Sequence, residues 1–148
     1  MSDENVPAFF TVFNEIGIIA QLGRSAFEAQ LPDGMILPHF SVLNHLIRVK
    51  DGQTPRVLAS AFQVPKTSLT HTLSVLEERG LIEMRPNSED ARSKCVWITQ
   101  AGRQFRDEAI ATIVAEFAPV EAALSPDRIE RMLPDLIALR KILDAARD

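Results

Sequence analysis

Residues 54–102 read TPRVLASAFQVPKTSLTHTLSVLEERGLIEMRPNSEDARSKCVWITQAG, and this stretch decides the fold. Thr54 can cap a helix whose first residue is Pro55, because the N–H that proline lacks would be unpaired there in any case. Apolar residues recur at roughly helical spacing after it, and residues 63–65 interrupt the pattern. The sequence therefore predicts a short helix followed by a tight turn.

A second helix is predicted from about Lys66 to Arg79. Its apolar side carries Leu69, Leu73 and Leu76, and Gly80 supplies a left-handed stop. Polar side chains are turned away from the leucines, at positions Thr67, Thr70, His71 and Ser74. Two helices around a tight turn form a helix-turn-helix.

A basic hairpin follows this pair of helices. Apolar residues start a first strand at Leu81, Ile82 and Met84, and the returning strand alternates through Val96 and Ile98, with Cys95 and Trp97 between them. A polar tip is predicted over residues 85–92, and it contains Pro86 and Asn87. A hairpin in this place is a wing.

The N-terminal part is predicted to be helical. Residues 7–30 carry a broad apolar stripe rich in phenylalanine, which is wider than one exposed surface helix needs. Pro32, Asp33 and Gly34 make a turn, and Pro38 precedes a short helix through Phe40 that packs behind the helix-turn-helix.

The C-terminal part is predicted to hold two more helices. Thr99 can cap a helix from about Gln100 to Phe117, which Pro119 ends. Another helix begins at Ser125 and has Pro134 in its interior, where a kink is expected. Both ends of the chain carry more apolar surface than 148 residues can cover, which favours a two-fold symmetric dimer over an intrachain pair of helices.

The fold class is therefore mainly α with a small β wing: a winged helix-turn-helix with N- and C-terminal dimerisation helices. We expect one domain over residues 1–148. Residues 36–100 are its winged helix-turn-helix part, and residues 7–31 and 101–146 are its helical dimerisation part.

Charge is distributed unevenly along the chain. The formal net charge is −4, but residues 48–106 hold ten Lys and Arg against six Asp and Glu. The flanks hold six against fourteen. Phosphate attraction acts within about a Debye length, roughly 8 Å at physiological salt, so the local charge matters more than the total. A basic segment that coincides with a helix-turn-helix favours DNA binding over a merely solvated face.

Composition excludes several other classes of protein. The acidic segment Met1–Val6 has no basic start or small-residue cleavage site, and no apolar run is long enough to span a membrane, so we expect a cytoplasmic protein. The single cysteine excludes an internal disulfide and a multi-cysteine metal cluster. His39 and His45 are six residues apart, which does not place two imidazoles on one helical face. We expect no metal, no cofactor and no enzymatic activity, and a structural role for Cys95.

Two motifs resemble a known family. Residues 90–102, DARSKCVWITQAG, resemble the wing signature of the MarR family of winged helix-turn-helix transcriptional regulators: an Asp-x-Arg, an alternating strand and a Leu/Ile-Thr-x-x-Gly helix start. Residues 76–82, LEERGLI, resemble that family's end of the recognition helix and entry to the wing. The order of the helices extends the likeness over nearly the whole chain.

The resemblance implies a homodimeric, ligand-responsive repressor on a pseudo-palindromic operator. Its recognition helices would enter successive major grooves of double-stranded DNA, and its wings would approach flanking minor grooves. The alternative is a protein- or small-ligand-binding module in which the helix-turn-helix does not contact DNA.

Roles for individual residues follow from the expected docking. Free N–H groups near Lys66, Thr67 and Ser68 can bind phosphate. Base edges would be met by Thr70, His71 and Ser74. On the wing, Arg92 would enter the minor groove, Asp90 would orient it by a charge-assisted hydrogen bond, and Arg85 and Lys94 would contact the DNA backbone.

The resemblance also suggests a small aromatic or lipophilic effector. In the family such molecules often bind in the crevice between the dimer layer and the winged domain. Residues that could line the crevice are Phe9, Phe13, His39, Phe40 and Leu43, and the alternative is that these side chains are ordinary core.

Overall fold

The computed structural model describes residues 5–147, so Met1–Glu4 of the acidic N-terminal segment and Asp148 lie outside the described residues. Seven helices and one hairpin are found in this range, in the order α1 (Ala8–Glu28), α2 (Leu37–Arg48), α3 (Pro55–Phe62), α4 (Lys66–Glu78), β1 (Ile82–Asn87), β2 (Asp90–Ile98), α5 (Gln100–Glu116), α6 (Ala118–Leu124) and α7 (Pro126–Ala145). The mainly α fold with a β wing is confirmed.

The chain divides into two compact units, one ending at Ile110 and one beginning at Ala111. The first unit holds α1 to α4, the wing and the first part of α5. The second holds the end of α5 with α6 and α7. None of the helices in the described range is long and apolar enough to cross a membrane.

The helix-turn-helix forms for the reasons that its sequence predicts. The Thr54 side chain accepts a hydrogen bond from the Val57 N–H at 3.3 Å, which caps α3. Gln63 ends α3 in the left-handed region with a φ of 54°, and Gly80 follows α4 with a φ of 72°. The predicted boundaries of both helices are confirmed to within one residue.

The core of the first unit lies where α2, α3, α4 and the base of the wing meet. Its buried side chains come from every one of these elements, and they are Val42, Leu43, Leu46, Leu58, Ala59, Leu69, Leu73, Leu76, Leu81, Ile82, Val96 and Ile98, with Met35 from the loop before α2. One face of α4 is thus fixed against the core.

The predicted wing tip is wrong in its extent. The strands pair as far as Pro86 with Lys94 and Asn87 with Asp90, so only residues 88 and 89 form the turn. Proline is tolerated in β1 because β1 is an edge strand, with one side unpaired. The register of the strand pairing shifts between Pro86 and Asn87, so the pairing is irregular next to the turn.

A third short segment extends the wing sheet. Gln53 forms an antiparallel bridge with Val96. The Gly52 N–H donates to the Val96 carbonyl at 3.0 Å, and the Val96 N–H donates to the Gln53 carbonyl at 2.8 Å. Gly52 has a φ of 71°, and a Cβ there would meet the Trp97 ring. The loop before α3 is therefore hydrogen-bonded to β2 and forms part of the wing sheet.

Other boundaries differ modestly from expectation. α2 begins at Leu37, so Pro38 lies inside its first turn instead of before it. α6 was not predicted; its second residue is Pro119, which suits a first helical turn because no N–H is needed there. Pro134 lies inside α7, and the kink predicted there stays a prediction.

A close approach of α5 to the wing requires glycine at position 102. A Cβ at Gly102 would overlap the Leu81 carbonyl oxygen and lie 2.8 Å from Cγ1 of Ile98. We expect Gly102→Ala to lower the free energy of unfolding by about 1–3 kcal/mol through overpacking, although alanine has the better helix propensity. The check is urea unfolding followed by circular dichroism.

Gly17→Ala is the matched control, because no heavy atom lies within 4 Å of its Cβ position. It should be neutral or stabilising, and equal losses in the two variants would contradict the packing argument.

The neutral form of the His39 side chain stabilises the start of α2. Its ring is only 4% exposed, and Nδ1 accepts a hydrogen bond from the Ile36 N–H at 2.9 Å. Burial lowers the pKa of His39, and the positive charges of Arg79 and His71 lower it further. Protonated Nδ1 could not accept this hydrogen bond.

Acidification should therefore destabilise the first unit through His39. The folded pKa lies below the unfolded value of about 6.5, so the unfolded chain binds the extra proton. The stabilising contribution is complete above about pH 6.5 and is lost as the pH falls from there toward the folded pKa. In urea titrations at several pH values from 7.5 to 5, His39→Asn should show a flatter decline than the wild type, since an amide oxygen can accept from Ile36 but does not titrate. Parallel declines would refute the assignment.

Candidate nucleic-acid interface

The outward face of α4 is polar and exposed. The six predicted contact residues on this helix, Lys66, Thr67, Ser68, Thr70, His71 and Ser74, are all exposed. No described side chain caps the amides of its first turn, and Pro65 stands at the cap position. Those amides are donors without an intrahelical partner, which is the arrangement that binds phosphate.

A groove separates the N-termini of α3 and α4 from the wing. Its cavity volume is about 590 Å³, and its charged lining residues are Arg56, Lys66, Asp90, Arg92 and Lys94. Uncharged residues complete the lining, namely Thr54, Pro55, Val57, Ser60, Asn87 and Ser93. Four cations and one carboxylate thus meet beside the exposed polar face of α4.

The sequence interpretation missed Arg56. Its position could have been found from the Thr54–Pro55 helix start, which places Arg56 in the first turn of α3, next to the turn that leads into α4. Only the folded hairpin brings Lys94 to the same groove. Of the predicted DNA contacts, Lys66, Asp90, Arg92 and Lys94 gather there.

The hydrogen bond predicted between Asp90 and Arg92 is present. Asp90 Oδ1 accepts from Arg92 Nε at 3.2 Å and from the Arg92 backbone N–H at 3.0 Å. The Arg92 side chain is otherwise 91% exposed. Asn87 Nδ2 donates to Ser93 Oγ at 3.0 Å, which braces the same turn. Asp90 therefore holds the Arg92 guanidinium at Nε, while most of the side chain is exposed to solvent.

Arg85 lies on the other face of the wing. Because side chains alternate along a strand, Lys94 shares a face with Val96, whereas Arg85 is paired opposite Cys95. Arg92 lies in the irregular part of β2 and lines the same groove as Lys94. Arg85 Nε is 3.1 Å from Glu83 Oε1, and its guanidinium carbon is 5.2 Å from the Trp97 ring centroid. The Glu83 hydrogen bond raises the pKa of Arg85, and the same bond lowers the pKa of Glu83. The role predicted for Arg85 in contacting the DNA backbone stays a prediction, and Arg85 is not among the groove-lining residues described above.

Asp51 anchors the wing. Its Oδ1 accepts hydrogen bonds from the Gly52 and Ile98 N–H groups, each at 3.0 Å. Its Oδ2 lies 3.5 Å from Arg103 Nη2 of α5. Arg106 Nε donates to Asn44 Oδ1 of α2 at 3.1 Å. One carboxylate therefore joins the loop before α3, the base of β2 and the start of α5.

The five residues predicted to line an effector crevice are absent from the linings of the cavities described for residues 5–147, and their role stays a prediction. Phe9 and Phe13 pack edge to face on α1, with ring centroids 4.9 Å apart, and Phe40 packs against Phe27. Leu43 belongs to the core, and His39 is buried at the start of α2. The amphipathic pattern identified buried faces but contained no information on which faces meet.

A different cavity lies between α1, α2 and the helix-turn-helix. Its volume is about 210 Å³. The residues that line it are Arg24, Leu37, Pro38, Ser41, Val42, Phe62, Val64, Ser68, Leu69 and Thr72. None of the five predicted effector residues is in this described lining, and α4 contributes three residues to it.

An ion pair stands at the edge of this cavity. Glu28 Oε1 accepts from Arg24 Nε at 2.8 Å and from the Leu37 N–H, the first amide of α2, at 2.9 Å. The Leu37 hydrogen bond lowers the pKa of Glu28, and Arg24 lowers it further, against an opposing effect of burial. Glu28 is thus an ionised carboxylate that joins α1 to α2.

His45 and Cys95, the remaining side chains that could act as metal ligands or nucleophiles, lie among structural contacts. His45 Nε2 is 2.7 Å from Gln53 Oε1, and its ring packs 5.2 Å from Phe62. Cys95 is a free, half-buried thiol on β2. Within residues 5–147, no group of three or more His, Cys, Asp or Glu side chains is placed to hold a metal ion.

Comparison with known proteins agrees with this geometry. Residues 33–93, which contain α2, the helix-turn-helix and most of the wing, match the model of the MarR family. A transcriptional regulator of the MarR family from Rhodococcus sp. RHA1 is 21% identical, with 90% of this chain and 94% of that chain covered and a TM-score of 0.75.

Two further solved structures share the fold. BldR from Sulfolobus Solfataricus is 25% identical, with 98% of this chain and 99% of that chain covered and a TM-score of 0.74. CouR from Rhodococcus jostii RHA1, solved with p-coumaroyl-CoA bound, is 24% identical, with 85% of this chain and 88% of that chain covered and a TM-score of 0.67. The match over residues 33–93 and the shared fold confirm that the two sequence motifs resemble those of the MarR family of winged helix-turn-helix transcriptional regulators.

Proposed function

We propose that this chain is a sequence-specific repressor that binds a pseudo-palindromic operator as a homodimer. The observation that carries the proposal is the groove in which Arg56, Lys66, Arg92 and Lys94 converge beside the exposed polar face of α4. Cations and free helix amides attract the DNA backbone, and a polar helix face can read base edges in the major groove.

The division of labour in this proposal follows the geometry. Lys66 and Arg56 stand at the starts of α4 and α3, where they and the free amides would hold phosphates on either side of the major groove. Thr70, His71 and Ser74 would face the bases. Arg92, held by Asp90 and exposed at its tip, would enter the minor groove, and Lys94 would contact the adjoining backbone.

Dimerisation is supported by exposed apolar side chains on the terminal helices. On α1, Phe9 is 68% exposed, Ile19 63% and Leu22 67%. On α7, Leu133, Leu136, Ile137, Ile142 and Leu143 are all exposed. Apolar surface of this extent marks an interaction site, and a second copy would bring a second recognition helix to the next half-site.

An effector is the second component of the proposal. The cavity between α1, α2 and α4 is the place for it, because three of its lining residues belong to the recognition helix. CouR was solved with p-coumaroyl-CoA bound, so a protein of this fold accepts a small organic ligand. An effector that favours a geometry unable to bind the operator would weaken DNA binding, and DNA would weaken effector binding by the same factor.

Selection of binding sites from random duplex DNA tests the proposal. The full-length protein should enrich a sequence with two-fold symmetry and sediment as a dimer at micromolar concentration. If two copies each use four groove cations, about eight phosphates are neutralised, and affinity should fall roughly 10³- to 10⁵-fold between 50 and 200 mM salt. Leu136→Asp should give a folded monomer with much weaker binding. Ala138→Asp lies about 200° away around α7 and serves as the control. A wild-type monomer, or the absence of any enriched sequence, would favour the non-DNA-binding alternative.

Substitution of two wing arginines tests the interface itself. Arg92→Ala should weaken binding to most sequences, reduce the preference for A·T-rich flanks and flatten the salt slope by about one unit if a phosphate contact is lost with it. Arg85→Ala is the matched comparison: Arg85 is engaged by Glu83 and Trp97, so its loss should weaken binding less than the loss of Arg92 does. His71→Ala should instead relax base preference at one position in each half-site and leave the salt slope unchanged. Fluorescence anisotropy with operator variants measures all three. Normal binding by Arg92→Ala would contradict the assigned interface.

A further inference from the structure

The cavity between α1, α2 and α4 has the size of a single small ring. Its volume of about 210 Å³ is somewhat larger than the roughly 150 Å³ of an engineered apolar cavity that takes up benzene. Leu37, Val42, Phe62, Val64 and Leu69 give it a largely apolar wall. A ligand here gains affinity mainly from the burial of apolar surface.

The charge at this cavity is already neutralised. Among the described lining residues, Arg24 is the only one with an ionised side chain. Its Nε–H is taken by Glu28 at 2.8 Å, and the same carboxylate oxygen holds the first amide of α2 at 2.9 Å. The Glu28 side chain is 26% exposed and that of Arg24 50%, so solvent only partly screens the pair. The lowered pKa of Glu28 keeps it ionised at neutral pH.

A carboxylate ligand and a neutral ligand meet this ion pair differently. A carboxylate would approach Arg24 against the repulsion of Glu28, or it would displace Glu28 and leave the Leu37 N–H without its acceptor. A neutral hydroxyl or amide can accept from a remaining N–H of the guanidinium, which has five donors, and leave the pair intact.

We propose that the cavity selects a small, uncharged apolar molecule with one polar group, and that Glu28 is the residue that rejects acids. Glu28 acts as the internal counterion of Arg24 and supplies the negative charge that an acidic effector would bring. This deepens the effector part of the proposed function. The occupant would lie against Ser68, Leu69 and Thr72, behind the face of α4 that carries Thr70 and His71, so its uptake is linked to the placement of that face.

Benzamide and benzoate form the probe pair, because they have nearly the same shape and differ by one charge at pH 7.5. Titration calorimetry on the full-length protein without DNA should give benzamide an affinity about tenfold higher than benzoate. Comparable affinities, tighter binding of benzoate, or no measurable binding of benzamide would each overturn the inference.

Glu28→Gln supplies the decisive variant. It removes the competing charge while a side-chain oxygen remains to accept from Leu37, so benzoate should gain about tenfold and benzamide should change by less than about threefold. Asp144→Asn is the matched control, because it removes the acid of another exposed i,i+4 pair, with Arg140 at 3.0 Å. It should leave both affinities unchanged, and no gain for benzoate in Glu28→Gln would refute the role of Glu28.

Val64→Trp locates the site. Val64 lines the cavity and is 38% exposed, so a larger side chain can fill the space without replacing a core residue. It should reduce benzamide affinity by at least about tenfold and leave the unfolding midpoint near that of the wild type. Unchanged benzamide binding would place the ligand elsewhere and overturn the inference. Because these titrations contain no DNA, they remain interpretable if operator selection fails, and the two proposals can fail separately.

Discussion

The burial of one face of α4 is the constraint on which the rest of the structure depends. Leu69, Leu73 and Leu76 are 2%, 5% and 0% exposed, and they are packed by α2, α3 and the base of the wing. Since neighbouring positions on a helix lie about 100° apart, this burial directs Thr70 and His71 to solvent. Removal of a buried leucine would cost about 2–5 kcal/mol. A helix held this firmly presents its outer face in one orientation.

Electrostatics at this surface are local. The chain is acidic overall, yet the groove between α3, α4 and the wing brings together four cations and one carboxylate, and that carboxylate is engaged with Arg92. On the wing, two arginines have different surroundings, and of the two only Arg92 is among the groove-lining residues. Arg92 is anchored at its root and extends outward, while Arg85 is bound by Glu83 and Trp97. The two residues have the same chemistry and similar ion pairs, but Arg85 also lies against the Trp97 ring, and its side chain is 52% exposed against 91% for Arg92.

Carboxylates also join the elements of the first unit. Asp51 ties the loop before α3 to β2 and α5, and Glu28 ties α1 to the first amide of α2. Each uses its oxygens for more than one partner, so each contact depends on the others. Hydrogen bonds to a charged group contribute more than neutral ones, about 1.5–3 kcal/mol when well formed. These junctions explain how a small unit can hold its wing and helices in a defined arrangement.

The sequence by itself determined the helix-turn-helix, the wing and the face of α4 that points outward. These features depend on local chemistry: the Thr54 cap, the break at residues 63–65, the left-handed stop at Gly80, and apolar periodicity. It also identified most of the groove cations and the link between Asp90 and Arg92. Only the tertiary structure decided that Arg56 joins the groove, that Arg85 is not among its lining residues, and that a cavity lined by Arg24 forms between α1, α2 and α4. These depend on strand register and on which helices meet, and contacts between residues far apart in sequence leave no periodic pattern in the chain.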